Sequence, residues 1–179
     1  MGGNLIDFLG DKSIKVADIV MVKKLLNLVI STPGARAACI NVKDFCLDNN
    51  LPEPEYIWFN QDSIPTKFWE QYNLDNYVDD RGRVHAIVLK GMFGLTQAGR
   101  VAYDHLVPQL DKNGFRLTGI VPRLFKYGTN SIIVTLIVDD FFVLLTDIQD
   151  MQLLETTLRK WYTITVDMNA VKYCGLTMD

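Results

Sequence analysis

Two aspartates, Asp139 and Asp140, stand side by side between residues 131–138 and 141–145, two runs dominated by Ile, Val, Leu and Phe. Adjacent carboxylates between apolar runs resist joint ionisation unless solvent or a cation offsets them. Such a pair suits Mg²⁺, which is held by one or two carboxylates and completes its shell with water and substrate phosphates. The chemistry open to the pair is divalent-cation binding; the competing reading is a plain turn, because Asp is a common turn residue. A second Asp-Asp pair, in Tyr77-Val78-Asp79-Asp80, runs straight into Arg81-Gly82-Arg83 within a polar stretch. It reads as a solvated turn. His85 and His105 lack metal-spaced partners, and Cys39, Cys46 and Cys174 match no zinc spacing, so the thiols read as reduced, intracellular packing residues.

The acidic pair needs a scaffold, and the apolar periodicity predicts one. Ile19, Leu25, Leu26 and Val29 recur at helical spacing before Pro33-Gly34, predicting a helix over 16–31, and residues 37–42 follow as a short buried strand. Residues 48–83 are polar and aromatic and are broken by Pro52, Pro54 and Pro65; they read as an irregular insertion with a short helix opening at Pro65. A strand is expected at 84–89, a helix bent near Pro108 at 97–110 with Asn113-Gly114 as its stop, and a weak strand at 124–127. The β-prone runs around Asp139 and Asp140 predict a hairpin with both carboxylates at its tip. An amphipathic helix at 147–161, with Met151, Leu153, Leu154 and Leu158 on its apolar side, and strands at 162–166 and 171–178 complete the chain. The expected class is α+β on an antiparallel sheet, formed as a single domain over residues 1–179.

With 179 residues, 49% of them hydrophobic, the chain can bury one sizeable core. The longest apolar stretch, 132–145, is interrupted by the two aspartates, so no membrane helix is expected, and residues 1–7 show no secretory signal. The formal charge is −3 and the pI about 5.3, which opposes a surface that grips nucleic acid everywhere. A local basic groove is compatible with that balance, and Lys23, Lys24, Arg36, Lys43, Lys90 and Arg100 are its candidate residues.

In order along the chain, five segments resemble the reverse transcriptases of copia-type long-terminal-repeat retrotransposons. Val22-Lys23-Lys24-Leu25-Leu26 is similar to the helix before the family's first catalytic strand, and Ile40-Asn41-Val42-Lys43-Asp44-Phe45 to that strand. Gly91-Met92-Phe93-Gly94-Leu95-Thr96-Gln97-Ala98-Gly99 resembles the Tyr-Gly-Leu-x-Gln-Ala segment. Leu136-Ile137-Val138-Asp139-Asp140 resembles the Tyr-Val-Asp-Asp hairpin, and Tyr173-Cys174-Gly175-Leu176 the terminal Phe-Leu-Gly-Ile strand.

The resemblance implies a right-hand polymerase palm with part of the fingers, residues 35–47 and 84–179 being palm-like, and nucleotidyl transfer to a primer 3′-hydroxyl by a two-metal mechanism. Asp139 and Asp140 would be catalytic and would hold Mg²⁺ or Mn²⁺, with Asp139 the stronger ligand; Lys43, Asp44, Cys46 and Gln97 would line the nucleotide site. The implied partners are a primer-template, a deoxynucleoside triphosphate and the rest of the retrotransposon polyprotein, and the implied location is cytoplasmic. Thumb and ribonuclease H regions are expected to lie outside the chain.

The chain departs from the family pattern where chemistry is most sensitive. Asn41 occupies the first catalytic Asp position, and loss of that carboxylate removes roughly 4 kcal/mol of attraction per cation at 4 Å and an effective dielectric near 20. Carried wholly into the barrier, that is about three decades of rate. Cys46 stands where an aromatic screens the sugar, Ile137 replaces the hairpin aromatic, and Thr96 replaces Lys or Pro. Impaired catalysis is therefore expected, the alternative being a non-catalytic nucleic-acid-binding or interaction remnant. Asp44 would restore the lost carboxylate only through an irregularity, because residues 41 and 44 of a regular strand face opposite ways.

Overall fold

The computed structural model describes residues 19–95, 97–128, 131–173 and 176–178. Thr96, Cys174 and Gly175 lie outside the described residues. Helix α1 (Ile19–Ser31) leads into strand β1 (Arg36–Val42), as the periodicity predicts. Where an irregular insertion is expected, the chain instead forms a long strand, β2 (Asn50–Asn60), paired antiparallel with β3 (Arg83–Lys90). Between them lie α2 (Thr66–Tyr72), with Pro65 at its N-cap, and two short 3₁₀ turns. The prolines do not prevent this pairing because Pro52 and Pro54 fall where the register shifts, between Asn50 and Glu55. A two-stranded ribbon also leaves the outer edge of β2 open, where a missing N–H costs no ladder bond.

Helix α3 (Ala98–Lys112) follows, then β4 (Phe115–Leu117), β5 (Leu124–Tyr127), β6 (Ile132–Ile137), β7 (Asp140–Leu145), α4 (Ile148–Arg159) and β8 (Ile164–Asp167). The single strand expected at 171–178 is instead an antiparallel pair, β9 (Lys172–Tyr173) and β10 (Leu176–Thr177). Six strands form one antiparallel sheet in the order β4-β5-β6-β7-β1-β8. Four of them, with two helices, run β1-α3-β6-β7-α4-β8 along the chain and β6-β7-β1-β8 across the sheet. That is the split βαβ arrangement of ferredoxin-like domains, extended by β5 and β4.

The period of two along the strands divides the core between the sheet's faces. Ala38, Ile40, Val42, Phe141, Val143 and Leu145 pack with Ala102, Leu106 and Leu110 of α3 and with Met151, Leu154 and Leu158 of α4. Those helical residues recur every three or four positions, the spacing that puts them on one stripe. Asp147 caps α4 by accepting from Gln149 N at 2.8 Å, and Gly114, at φ 88°, turns the chain out of α3. The alternate residues Cys39 and Phe142 face the other way, against Val22 and Leu25 of α1 and Tyr173 of β9. The two helical layers therefore clamp β1 and β7 from opposite sides.

Candidate active site

The hairpin predicted around the aspartates is present, but its tip differs by one residue. Ile137 pairs with Asp140, leaving Val138-Asp139 as a two-residue turn, so Asp139 lies in the loop and Asp140 opens β7. Val138 has φ 54°, a left-handed conformation that its branched side chain disfavours. A two-residue hairpin needs a positive φ at its first turn position when the turn is of the II′ kind, and here that requirement falls on a valine. The turn is tied down from the side, because Asp139 O accepts from Val42 N at 2.9 Å at the end of β1.

The sheet register decides which side chains meet. Asn41 in β1 is directly opposite Asp140 in β7 and, across its other edge, opposite Thr165 in β8. Directly opposed residues share a face, and Asn41 Nδ2 donates to Asp140 Oδ1 at 2.9 Å. Asn41 is exposed, whereas Asp139 and Asp140 are half-buried. The three positions singled out in the sequence as the acidic centre thus converge on one end of the sheet. Asn41 and Asp140 share the face opposite α3 and α4, while Asp139 lies in the adjoining turn near Cys46, and an amide stands where a third carboxylate is expected.

Asp44 does not complete the group. It lies beyond β1 in the turn at residues 43–47, at φ 54°, so the alternation argument for a regular strand no longer applies to it. Among the described residues, no cluster of three or more Asp, Glu, His or Cys is arranged to hold a metal. Lys43 N donates to Thr163 O at 2.9 Å and Leu47 N to Asp44 O at 2.7 Å, so this turn is anchored to the residue before β8 and closed on itself. Cys46 is half-buried; burial pushes its thiol up, the nearby Asp139 carboxylate adds to that, and Arg123 opposes it. Cys39 is buried, in accord with a packing role.

Gln97 is the N-cap residue of α3 and is buried, with only 2% exposure. Its Nε2 donates to Glu55 Oε1 of β2. Glu55 resumes the pairing after the irregularity in β2, and such a shift re-aims the side chains that follow it. No sequence signal marked Glu55, because its partner lies across two elements. Gly91 belongs to the same region: a Cβ there would fall 1.9 Å from Cys46 O, so only glycine lets the chain at residue 91 pass β1's exit turn.

The candidate basic residues do not gather. Lys23 and Lys24 are exposed on α1, on one face of the sheet, while Arg100 belongs to α3 on the other and is paired with Asp104 at 2.8 Å. The Tyr77-Val78-Asp79-Asp80 segment is the turn expected of it. Asp79 accepts from Arg81 N, Arg83 N, Arg83 Nε and His85 Nε2, all at 2.9 Å, and caps the start of β3. The His85 hydrogen bond and those from Arg83 and Arg81 hold its carboxyl well below the usual carboxylate range. His105 Nδ1 lies 3.1 Å from Tyr162 Oη, a packing contact between α3 and the chain after α4.

The fold and site define an α+β protein with a split βαβ core and a paired-carboxylate hairpin. Comparison with protein-family models, curated proteins and solved structures gives no match. No helix among the described residues is long and apolar enough to cross a membrane.

Proposed function

We propose that this chain is the fingers-palm region of a copia-type reverse transcriptase whose nucleotidyl-transfer centre is impaired at Asn41. The observation that carries the reading is the register itself: Asn41 and Asp140 are paired across β1 and β7, and Asp139 occupies the adjoining turn. These are the three positions that the sequence resemblance assigns to the metal carboxylates, and they are brought together from segments about 100 residues apart in the chain. The split βαβ order is compatible with a palm, in which the hairpin lies beside the first catalytic strand.

The donor set consists of oxygens, with two carboxylates and an amide carbonyl, and so fits Mg²⁺ or Mn²⁺ by type. It is short of charge for a pair of such ions. When bound, the cation would neutralise charge developing at the transferring phosphoryl group. The chain's own contribution is to fix Asp139 and Asp140 at a braced hairpin and to order the Gln97 end of α3 through Glu55. Nucleic acid and a deoxynucleoside triphosphate are the substrates in this reading, with the exit turn of β1, carrying Lys43, Asp44 and Cys46, alongside the nucleotide.

Primer extension on an RNA template, with Mg²⁺ and with Mn²⁺, tests it. Asn41→Asp is expected to extend the primer up to about 10³-fold faster than the unaltered chain, and adding Asp139→Asn to that variant should abolish extension. With thumb segments added to every variant, absence of extension by Asn41→Asp overturns the polymerase reading. The second reading, a binding remnant without turnover, is favoured by the hydrogen bond through which Asn41 satisfies Asp140 without any metal. It predicts salt-dependent association with a primer-template in every variant and turnover in none.

A further inference from the structure

Arg123, which the sequence did not single out, is the most expensively placed charge among the described residues. It is only 3% exposed, and its Nε is buried without a hydrogen-bond partner. Arg83, Arg100 and Arg159 each have a carboxylate within 3.6 Å, whereas among the described residues no ion pair forms at Arg123. Its guanidinium lies 4.4 Å from the centre of the Tyr103 ring on α3. A cation–π contact offsets part of the cost of taking a guanidinium out of water, but a buried cation ordinarily needs an anion as well.

The backbone adds a second cost at the same residue. Arg123 has φ 58°, a left-handed conformation in which a non-glycine side chain is strained. It closes the loop between β4 and β5, and its carbonyl accepts from Leu136 N at 3.3 Å, one residue before the hairpin's last strand position. At the other end of this loop Thr118 N donates to Leu124 O, while the Thr118 hydroxyl is buried without a partner. A strained, desolvated cation and an orphan hydroxyl on one short loop beside the carboxylate hairpin are otherwise unexplained by packing.

We propose that Arg123 is the receptor of a phosphate group, taken from a nucleotide's polyphosphate. The guanidinium fork matches phosphate oxygens two at a time, and the ligand supplies a directly paired anion, where the fold offers only the more distant attraction of Asp104. In the absence of the ligand the guanidinium rests on the Tyr103 ring. Choosing phosphate over carboxylate rests on the polymerase reading; the anion site itself requires no catalytic step.

Titration of the whole chain with sodium tripolyphosphate, with a deoxynucleoside triphosphate and with citrate, all in EDTA, tests this by calorimetry and by thermal unfolding. Tripolyphosphate and the triphosphate should bind and raise the unfolding midpoint; Arg123→Met should weaken both at least about tenfold, while Arg123→Lys keeps part of the affinity. Without anion, Arg123→Met should be no less stable than the unaltered chain, because it removes a buried cation that has no carboxylate in ion-pair contact and keeps the shape. A brace with a purely structural role would instead lose stability equally with and without the anion, which overturns the proposal. So does equal binding by Arg123→Met, or equal Arg123-dependent binding of citrate. Failure of Asn41→Asp in primer extension leaves each of these outcomes unchanged, so the two readings fail separately.

Discussion

Replacing Asn41 by Asp changes one atom group at the centre of the site, and the consequences can be worked from its contacts. The amide that donates to Asp140 Oδ1 at 2.9 Å becomes a carboxylate facing a carboxylate. A hydrogen bond to a charged acceptor, about 1.5–3 kcal/mol, is lost. The repulsion that replaces it at about 4 Å is roughly 1 kcal/mol in water and roughly 4 kcal/mol at an effective dielectric of 20. Asn41 is exposed and Asp140 half-buried, so the solvated end of each range applies. The expected net loss is about 1–3 kcal/mol, or about 2–12 °C in the unfolding midpoint for a chain of this size. The sign with pH follows from the pair holding one proton more tightly when folded than when unfolded. The loss is small near pH 4, where the unfolded chain is also largely protonated, and grows as pH rises towards about 8. Millimolar Mg²⁺ should return most of the loss in the variant, because a third carboxylate supplies the missing charge, and should leave the unaltered chain almost unmoved. Urea unfolding at about pH 5 and about pH 8, in EDTA and in Mg²⁺, measures all of this. A variant as stable as the unaltered chain at the higher pH in EDTA would refute the reasoning, as would an equal response of both to Mg²⁺.

The β2-β3 ribbon should loosen in acid. Asp79 is held below the usual carboxylate range in the folded state, so its contribution is present above the ordinary carboxylate pKa and is lost as pH falls towards the folded value; Trp58 fluorescence between about pH 6 and pH 2 should report the change, and Asp79→Asn should remove the acid dependence of that signal. Gly91→Ala would force a Cβ to within 1.9 Å of Cys46 O, so it should cost at least about 1–3 kcal/mol in urea unfolding. Unchanged stability in that variant would mean that the close passage of the chain at Gly91 over β1's exit turn is not required.

What could be read from the sequence followed the range over which each signal acts. α1, α3 and α4 were legible because their apolar stripes, the Asp147 cap and the Asn113-Gly114 stop are local, and β6 and β7 because runs of Ile, Val, Leu and Phe flank a short turn. β2 was missed because two prolines outweighed the β-prone run Tyr56-Ile57-Trp58-Phe59, whose pairing with residues 84–87 of β3 was the stronger signal. β4, three residues long, carries too little pattern to stand out, and the strand expected at 171–178 is a hairpin of two-residue strands. At the site, residue types pointed to Asp139, Asp140 and Asn41, but not to the hydrogen bond between the last two. Arg123 was invisible because an arginine's burial depends on what packs over it, and Glu55 because its contact with Gln97 crosses from one small sheet to the start of α3.

The position of Asn41 separates architecture from chemistry. Its backbone is held by pairing with both β7 and β8, and the core beneath it is built by Ile40 and Val42, which face the opposite side of the sheet. Asp and Asn are nearly the same size, so neither packing nor register requires the carboxylate there, and its loss would leave the fold intact. The amide even relieves a local repulsion, since it donates to the acceptor that an aspartate would oppose. On the proposed reading, stability and metal affinity therefore pull in opposite directions at this residue: the group that makes the sheet end self-sufficient is the one that would deprive a cation of a third charge. A chain under no demand to bind metal can keep Asn41 without structural penalty, while one that must bind metal has to tolerate the repulsion until the ion arrives. The metal response of the Asn41→Asp variant measures that exchange directly.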